Sequence, residues 1–558
     1  MKKLKKWIKY GSLALIIFFV VALLPAFFYH PEINTYPLPS HYKKGVYHLH
    51  SNFSDGKGTI EEITRSASQL NLDFVILTDH GNPNILSSSS TSWLNDVLLI
   101  GGSELSLNSG HLATAGYPVP GYILPPEPQQ AIDEINHYRG ISFISHPFDD
   151  KIPWTDWDIK NFTGIEVFNS YSCARKTGLF KLLIFPFRYL INQKYALLKT
   201  LFYPEKNIKK WDSVNKEGEY FAIYACDAHA ILPITKKIKL HFPSYKSMFE
   251  IFHTYVKIDG KLSKDSHISA SIIISALKKG QFFNVVEAIA PANGFETQFI
   301  TSNGNIMEMG EKTNSTSGKI ILKLPFNFKT NIVVKKNGRF FNQILKNRKK
   351  YREIKVSEPG VYRTEIFLSQ KTFNHIPWII TNPYFIGERR RKPLPKSPSI
   401  KKILMNQKDF FSLESNPLST GIINSRKSEE GEWITSFKYE LKKESQKKDF
   451  WAAMARRNQF NFSSYNGFIF QARSAYRTGF WVEFRTRDQN LESWYRHSFV
   501  TDKSWSKYQI PFDKFHLIEG SEKKPNLSKI DSIFISINNA IAYPGARGTL
   551  ELKNIGLY

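Results

Sequence analysis

Five short apolar runs in the first half of the chain end in residues that bind metal ions. They are Val46-Tyr47-His48-Leu49-His50, Phe74-Val75-Ile76-Leu77-Thr78-Asp79-His80, Leu98-Leu99-Ile100-Gly101-Gly102-Ser103-Glu104 (with His111 beyond it), Ile141-Ser142-Phe143-Ile144-Ser145-His146, and Phe221 through Cys226-Asp227-Ala228-His229. Imidazole and carboxylate without thiolate suit Zn²⁺, Mn²⁺ or Fe²⁺, and the ligand types do not choose among them. Two such ions about 3.5–4 Å apart lower the pKa of a shared water toward roughly 7 and so make a hydroxide nucleophile. They also neutralise charge on a phosphoryl transition state. The chemistry expected is therefore metal-dependent hydrolysis of a phosphate ester by a bridging hydroxide.

Strands must carry these side chains. A strand that ends in His, Asp or Glu delivers it to one rim of a sheet or barrel, where α/β enzymes keep their chemistry. Alternation along a strand predicts that His48 and His50 share a face, and Asp227 and His229 likewise. From Gly45 to about Ala290, strand-like runs alternate with helical stretches such as Thr59-Ile60-Glu61-Glu62-Ile63, where Thr59 reads as a cap with acids in the first turn. That alternation predicts an α/β barrel or a doubly wound sheet. Asp79 and Asn169 read equally as supports for the metal ligands and as strand-end caps. Cys226 reads as a core residue.

These residues also carry a family resemblance. His48-x-His50, Ser54-Asp55-Gly56, Thr78-Asp79-His80, Glu104, His111, His146 and Asp227-x-His229 resemble the polymerase-and-histidinol-phosphatase (PHP) superfamily over about Gly45 to Phe283. The resemblance implies a distorted (β/α)7 barrel with two or three divalent metal ions at its C-terminal rim. It implies one ion held by His48, His50, Glu104 and Asp227, a second by Glu104, His111 and His146, and a third by Asp55, His80 and His229. Glu104, Asp227 and His229 are the residues expected to carry catalysis, with His229 or a metal-bound water protonating the leaving group. Related barrels also hydrolyse carbamates, amides and carboxylic esters, which is the alternative activity. A non-catalytic surface carbohydrate-binding protein is the other alternative. Pro377 to Pro383 looks like a closing strand appended in some extracytoplasmic members.

The chain has 558 residues, with 42% hydrophobic and 14% aromatic, which is enough for about three packed domains. Two cysteines exclude a disulfide framework and a thiolate zinc cluster. The formal charge of +27 favours polyanions or anionic lipid surfaces, although lysines spread along the whole chain also fit a compositional bias. No arginine-rich helix, zinc finger or aromatic RNA-binding motif points to nucleic acid.

At the N-terminus, a lysine cluster precedes an apolar stretch from Gly11 to Tyr29. Its length matches a bilayer core of about 30 Å, and the positive-inside rule puts the rest of the chain outside the cytoplasm. No Ala-x-Ala site follows, so an uncleaved anchor in a bacterial cytoplasmic membrane is expected over a cleaved signal peptide or a core helix. The domain scheme that follows is a cytoplasmic tip and anchor (1–30), a tether (31–44), the metallohydrolase barrel (45–290), a small β-sandwich (291–387), a basic proline-rich linker (388–403) and a C-terminal jelly-roll-like sandwich (404–558). This last region resembles galactose-binding-like carbohydrate modules. Its Trp481, Trp494, Tyr495 and Trp505 read as sugar-stacking residues or, with better odds, as sandwich core, so a glycan is a candidate partner. The expected substrate is a phosphorylated small molecule or cell-envelope polymer. Between Asn169 and Asp227, Gly178–Leu190 and Lys194–Tyr203 mix aromatic, aliphatic and basic residues. They fit an interfacial element beside the anchor or a helix pair capping the barrel.

Overall fold

The computed structural model describes residues 2–233, 239–325, 329–369, 372–388, 397–443, 449–488 and 491–558. Contacts divide the chain into two units, Met1–Pro118 with Ile135–Lys392, and Val119–Glu134 with Pro393–Tyr558. Half of the proline-rich linker, residues 389–396, lies outside the described residues.

The first unit begins with α1 (Lys2–Phe28), in which Lys9–Phe28 is long and apolar enough to cross a membrane. Seven strands then form a ring: β1 (Tyr42–Leu49), β2 (Phe74–Leu77), β3 (Gly102–Leu107), β4 (Gly110–Ala115), β5 (Ile141–Ile144), β6 (Gly164–Asn169) and β7 (Phe221–Ala225). β1–β2, β5–β6 and β6–β7 pair in parallel, whereas β3–β4 and β4–β5 are antiparallel, which is the distortion. Two parallel bridges at the functional rim close the ring, Leu49 to Ala228 and His80 to Glu104. The short strands β2, β5 and β7 are buried along their whole length and apolar but for Ser142, as suits strands covered on both faces. Their side chains Phe74, Ile76, Ile141, Phe143, Phe221 and Ile223 fill the core below the rim.

Helices cover the outside. α2 (Ile60–Ser68) starts on Thr59, whose hydroxyl accepts the Glu62 N–H, with Glu61 and Glu62 in its first turn. Further along come α3 (Ser170–Arg175), α4 (Leu179–Ile191), α5 (Gln193–Leu198), α6 (Glu205–Val214) and α7 (Ser266–Lys278). Asp265 caps α7 by accepting the N–H groups of His267 and Ile268. Beyond β7, strands β8 (Phe252–Lys257) and β9 (Phe282–Val286) extend the sheet from β1, and Ile379–Thr381 adds to β9. The stretch expected to be a closing strand therefore does add to this sheet. Glu296–Thr301, Gly318–Lys323 and Tyr351–Val356 form a separate antiparallel sheet. Arg363, buried on Gly360–Leu368, which pairs with Ile379–Thr381, ties the large sheet to the helical layer by donating to both Asp212 oxygens at 2.8 Å.

The second unit holds two six-stranded sheets whose inward residues, among them Phe437, Phe468, Phe480, Phe484, Leu550 and Leu552, form one core. Residues 119–134 belong to it, with Arg477 donating to both carboxylate oxygens of Glu134 and Ser498 N–H to Glu127. Trp481 and Tyr495 are 1% and 0% exposed, so for these two the sandwich-core reading holds and sugar stacking does not. Trp494 and Trp505 are half-buried, with Arg485 over the first ring and Arg473 and Lys553 over the second.

Candidate metal centre

The expected ligands reach the rim by less regular backbone than strand alternation predicts. His48 sits at a bulge where the β1–β2 register slips, with φ of 66°, and His50 lies just past the strand. Asp227 (φ 49°) also follows the end of its strand, and His146 has φ of 28°. Non-glycine residues in this region store strain, which the surrounding structure must over-determine, and such strain gathers at functional sites. The shared face of His48 and His50 thus comes from a bulge and a strand end rather than from period-two alternation.

Glu104 arrives by a different route as well. The run Leu98–Glu104 is not one strand: Val97–Ile100 pairs with β2, the chain breaks at Gly101, and Glu104 rides on β3 in the other sheet. The two glycines are required there. A Cβ on Gly101 would lie 2.3 Å from the Ser87 carbonyl oxygen, and one on Gly102 would lie 2.2 Å from that of Thr114.

All nine expected residues converge. The Nε2 atoms of His48 and His50 are 3.1 Å apart. Each lies 3.4–3.6 Å from an oxygen of Glu104 and from Asp227 Oδ1. On one side, Glu104 Oε1 is 3.3 Å from His111 Nδ1 and 3.1 Å from His146 Nε2. On the other, Asp55 faces His50 Nδ1 (3.6 Å), His80 Nε2 (3.6 Å) and His229 Nε2 (3.4 Å). His80 Nδ1 also lies 3.2 Å from Glu104 Oε2, so His80 stands between two groups as His50 does. His48, His50 and Glu104 are buried, while the Asp55 side chain is 53% exposed and marks the mouth.

The chemistry of this donor set fits divalent cations. The Nδ1 atoms of His50, His111 and His146 are buried without a hydrogen-bond partner. Such atoms are costly unless something ligates them. Burial alone would raise the Glu104 and Asp227 carboxyls, yet His48 with its neighbouring imidazoles holds both well below the usual carboxylate range. Burial works against charge on the histidines too. Even so, Glu104 holds His146 up at about 9, and Asp55 with Asp227 does the same for His229. His50 goes the other way, down to about 4, through burial and repulsion from His229. The cluster thus balances buried carboxylates with imidazolium charge, a role that metal ions assume when bound.

Sequence reasoning missed Glu166. Fully buried on β6, it hydrogen-bonds His48 Nδ1 and accepts the His146 N–H at 2.9 Å and Asn169 Nδ2 at 3.0 Å. This fixes the His48 tautomer and leaves Nε2 facing the centre. The only signal for it was a lone carboxylate inside the apolar run Gly164–Asn169. Asn169 plays both parts considered for it. Its Nδ2 also donates to Asp227 Oδ2 at 3.0 Å, and its Oδ1 caps α3. Asp79 turns away from the ligands and accepts Ser51 N–H, Ser51 Oγ–H and Ser54 Oγ–H, bracing the loop that carries Asp55. Tyr245 braces it from below, donating to the His50 carbonyl at 2.7 Å and accepting the Gly58 N–H. Cys226 is core, as expected.

The family model of the PHP domain matches residues 47–183. The chain carries a PHP domain. That match takes in His48, His50, Asp55, His80, Glu104, His111 and His146; Asp227 and His229 lie beyond it, on either side of Ala228, whose bridge to Leu49 closes the ring. Among solved structures, the chain is similar to a two-domain protein from Bacteroides vulgatus containing a predicted PHP-like metal-dependent phosphoesterase (15% identity, 64% of this chain and 99% of that one, TM-score 0.31). It is also similar to the family 11 carbohydrate-binding module of the Clostridium thermocellum cellulosomal cellulase Lic26A-Cel5E (15% identity, 29% and 95%, TM-score 0.23). A family 30 module from the same organism's cellulase Cel9D-Cel44B matches with 13% identity, 28% and 95% coverage and a TM-score of 0.22. No curated protein matches significantly.

Proposed function

We propose that this protein is a metal-dependent phosphoesterase, anchored by α1 and acting on the outer face of a bacterial cytoplasmic membrane. The observation that carries this reading is the convergence of nine His, Asp and Glu side chains on one rim, where three buried imidazole nitrogens have no hydrogen-bond partner. In this reading His48, His50, Glu104 and Asp227 hold one ion, Glu104, His111 and His146 a second, and Asp55, His80 and His229 a third. Bound ions would supply a water of lowered pKa as nucleophile and positive charge for the phosphoryl oxygens. Zn²⁺, Mn²⁺ and Fe²⁺ all suit the ligands.

The chain's own residues do the rest. Glu166 and Asn169 orient His48 and Asp227, while Asp79 and Tyr245 fix the loop that presents Asp55. His229 lies near the mouth with Nε2 3.4 Å from Asp55 and Nδ1 3.0 Å from the Asp227 carbonyl oxygen. As an ion ligand it would have no proton to spare, and a metal-bound water would protonate a departing alkoxide. The second unit would hold a glycan, with the partly exposed Trp494 and Trp505 as its contacts.

Metal-loaded protein should turn over p-nitrophenyl phosphate or bis-p-nitrophenyl phosphate and leave p-nitrophenyl acetate intact. Ester turnover without phosphate turnover would transfer the assignment to a carboxylic-ester or amide hydrolase.

A further inference from the structure

The insertion between β6 and β7 joins the anchor helix to the catalytic rim. α4 packs on α1: the Phe187 and Phe19 rings meet edge-to-face at 5.9 Å, and Arg188 donates from Nε and Nη2 to the Ala22 carbonyl oxygen. Just after α4, Asn192 Nδ2 donates to the Tyr29 carbonyl at 2.8 Å. One face of α4 is seated in the protein, with Ile184 and Tyr189 buried and Tyr189 hydrogen-bonded to Ser247. The other face carries Leu183, Phe187 and Leu190 at helical i, i+4, i+7 spacing, and they are 70%, 50% and 84% exposed. A bare stripe of this kind beside the apolar, exposed Ile17, Val21 and Leu24 of α1 has no reason to face water.

Charge selects what covers it. From residue 175 to 203 the chain has six basic residues, Arg175, Lys176, Lys181, Arg188, Lys194 and Lys199, and no acidic one. Apolar and basic residues on one helical element are the signature of an interfacial helix on anionic lipid. The same insertion also reaches the chemistry. Its two feet, residues 172–176 and 202–207, wall a cavity of 310 Å³ that opens on His146 and is lined by Lys176, Lys206 and Tyr203, by the carboxylates of Asp149 and Glu205, and by apolar Phe148 and Phe202.

We propose that α4 is a second membrane-inserted element, and that it seats the metal centre at the leaflet so that the substrate is a phosphate group carried by a bilayer lipid. This rests on the phosphoesterase reading above, and it adds where the phosphate comes from. The cavity's lysines would hold the anionic headgroup while its apolar residues take the adjoining carbon chain.

The test uses the full chain in vesicles of phosphatidylcholine doped with phosphatidic acid. An environment-sensitive fluorophore on Leu190→Cys reads insertion directly, since Cys173 and Cys226 are buried. Quenching by doxyl-labelled lipid together with protection from iodide is expected. Iodide access without doxyl quenching overturns the proposal, as does protection that depends on protein concentration rather than on lipid, which would mean a second copy covers the stripe. In the second arm, the Leu183→Glu, Leu190→Glu double variant should keep wild-type turnover of soluble bis-p-nitrophenyl phosphate. It should lose at least tenfold in kcat/KM on the vesicle lipid. Equal loss on both substrates, or none on the lipid, overturns the substrate assignment. If wild type hydrolyses neither ester, the phosphoesterase reading itself fails, and the fluorophore still decides where α4 lies.

Discussion

Glu166→Gln is the sharpest perturbation of the site that leaves every metal ligand in place. The substitution keeps the shape of a fully buried side chain and removes its charge. Of its three hydrogen bonds, two involve expected ion ligands and change character, the one with His48 Nδ1 and the one from the His146 N–H. A hydrogen bond to a charged group contributes about 1.5–3 kcal/mol against about 0.5–1.5 for a neutral pair. Each bond thus loses roughly 1 to 1.5 kcal/mol, close to a factor of ten in affinity. With both affected, divalent-ion binding should weaken by about 10- to 100-fold, the range typical of groups that orient a ligating histidine. Calorimetric titration of ion-free protein with Mn²⁺ or Zn²⁺ measures this, with the far-ultraviolet spectrum confirming that the variant is folded. An unchanged dissociation constant in a folded variant would refute the claim that Glu166 sets the His48 tautomer.

Other outcomes follow from the same geometry. Because His146 and His229 are held up at about 9 in the ion-free centre, both carry protons near neutral pH that ligation must displace. Ion affinity should therefore tighten as pH rises toward about 9, with proton release visible as a buffer-dependent heat of binding. Chelator treatment should abolish turnover and lower the melting temperature, since ligand at about 1,000 times its Kd adds roughly 4 kcal/mol to the native state. Arg363→Met leaves Asp212 and the buried Glu365 without their counter-charge. It should cost about 3–5 kcal/mol in denaturant unfolding, as breaking a buried ion pair does.

Which residues gather at the rim was legible in the sequence because strand ends leave a local mark: an apolar run followed by His, Asp or Glu. The route to the rim was not. His48 reaches its place through a bulge, and Glu104 through a strand that starts only after Gly101, because long-range sheet pairing decides both. Glu166 escaped notice because a single carboxylate in an apolar strand is ambiguous until its partners, 118 residues earlier at His48 and 20 earlier at His146, are seen around it. The layout of the later β regions was coarser still. Short strands broken by Asn and Gly announce a β-rich segment but not that Ile379–Thr381 would add to β9. Nor does any local pattern tie residues 119–134 to the C-terminal unit. The amphipathic insertion was visible as composition, and only its contacts with Ala22 and Tyr29 gave it a neighbour.

The central claim is that one rim of the PHP domain binds a cluster of catalytic metal ions, and an anomalous difference map from crystals grown with Mn²⁺ or Zn²⁺ tests it most directly. Strong peaks are predicted between His48 Nε2, His50 Nε2, Glu104 and Asp227, between Glu104, His111 and His146, and between Asp55, His80 and His229, at ligand distances of about 2.0–2.2 Å. A map without peaks among these nine side chains, collected from folded protein at a pH above about 8, would contradict the account.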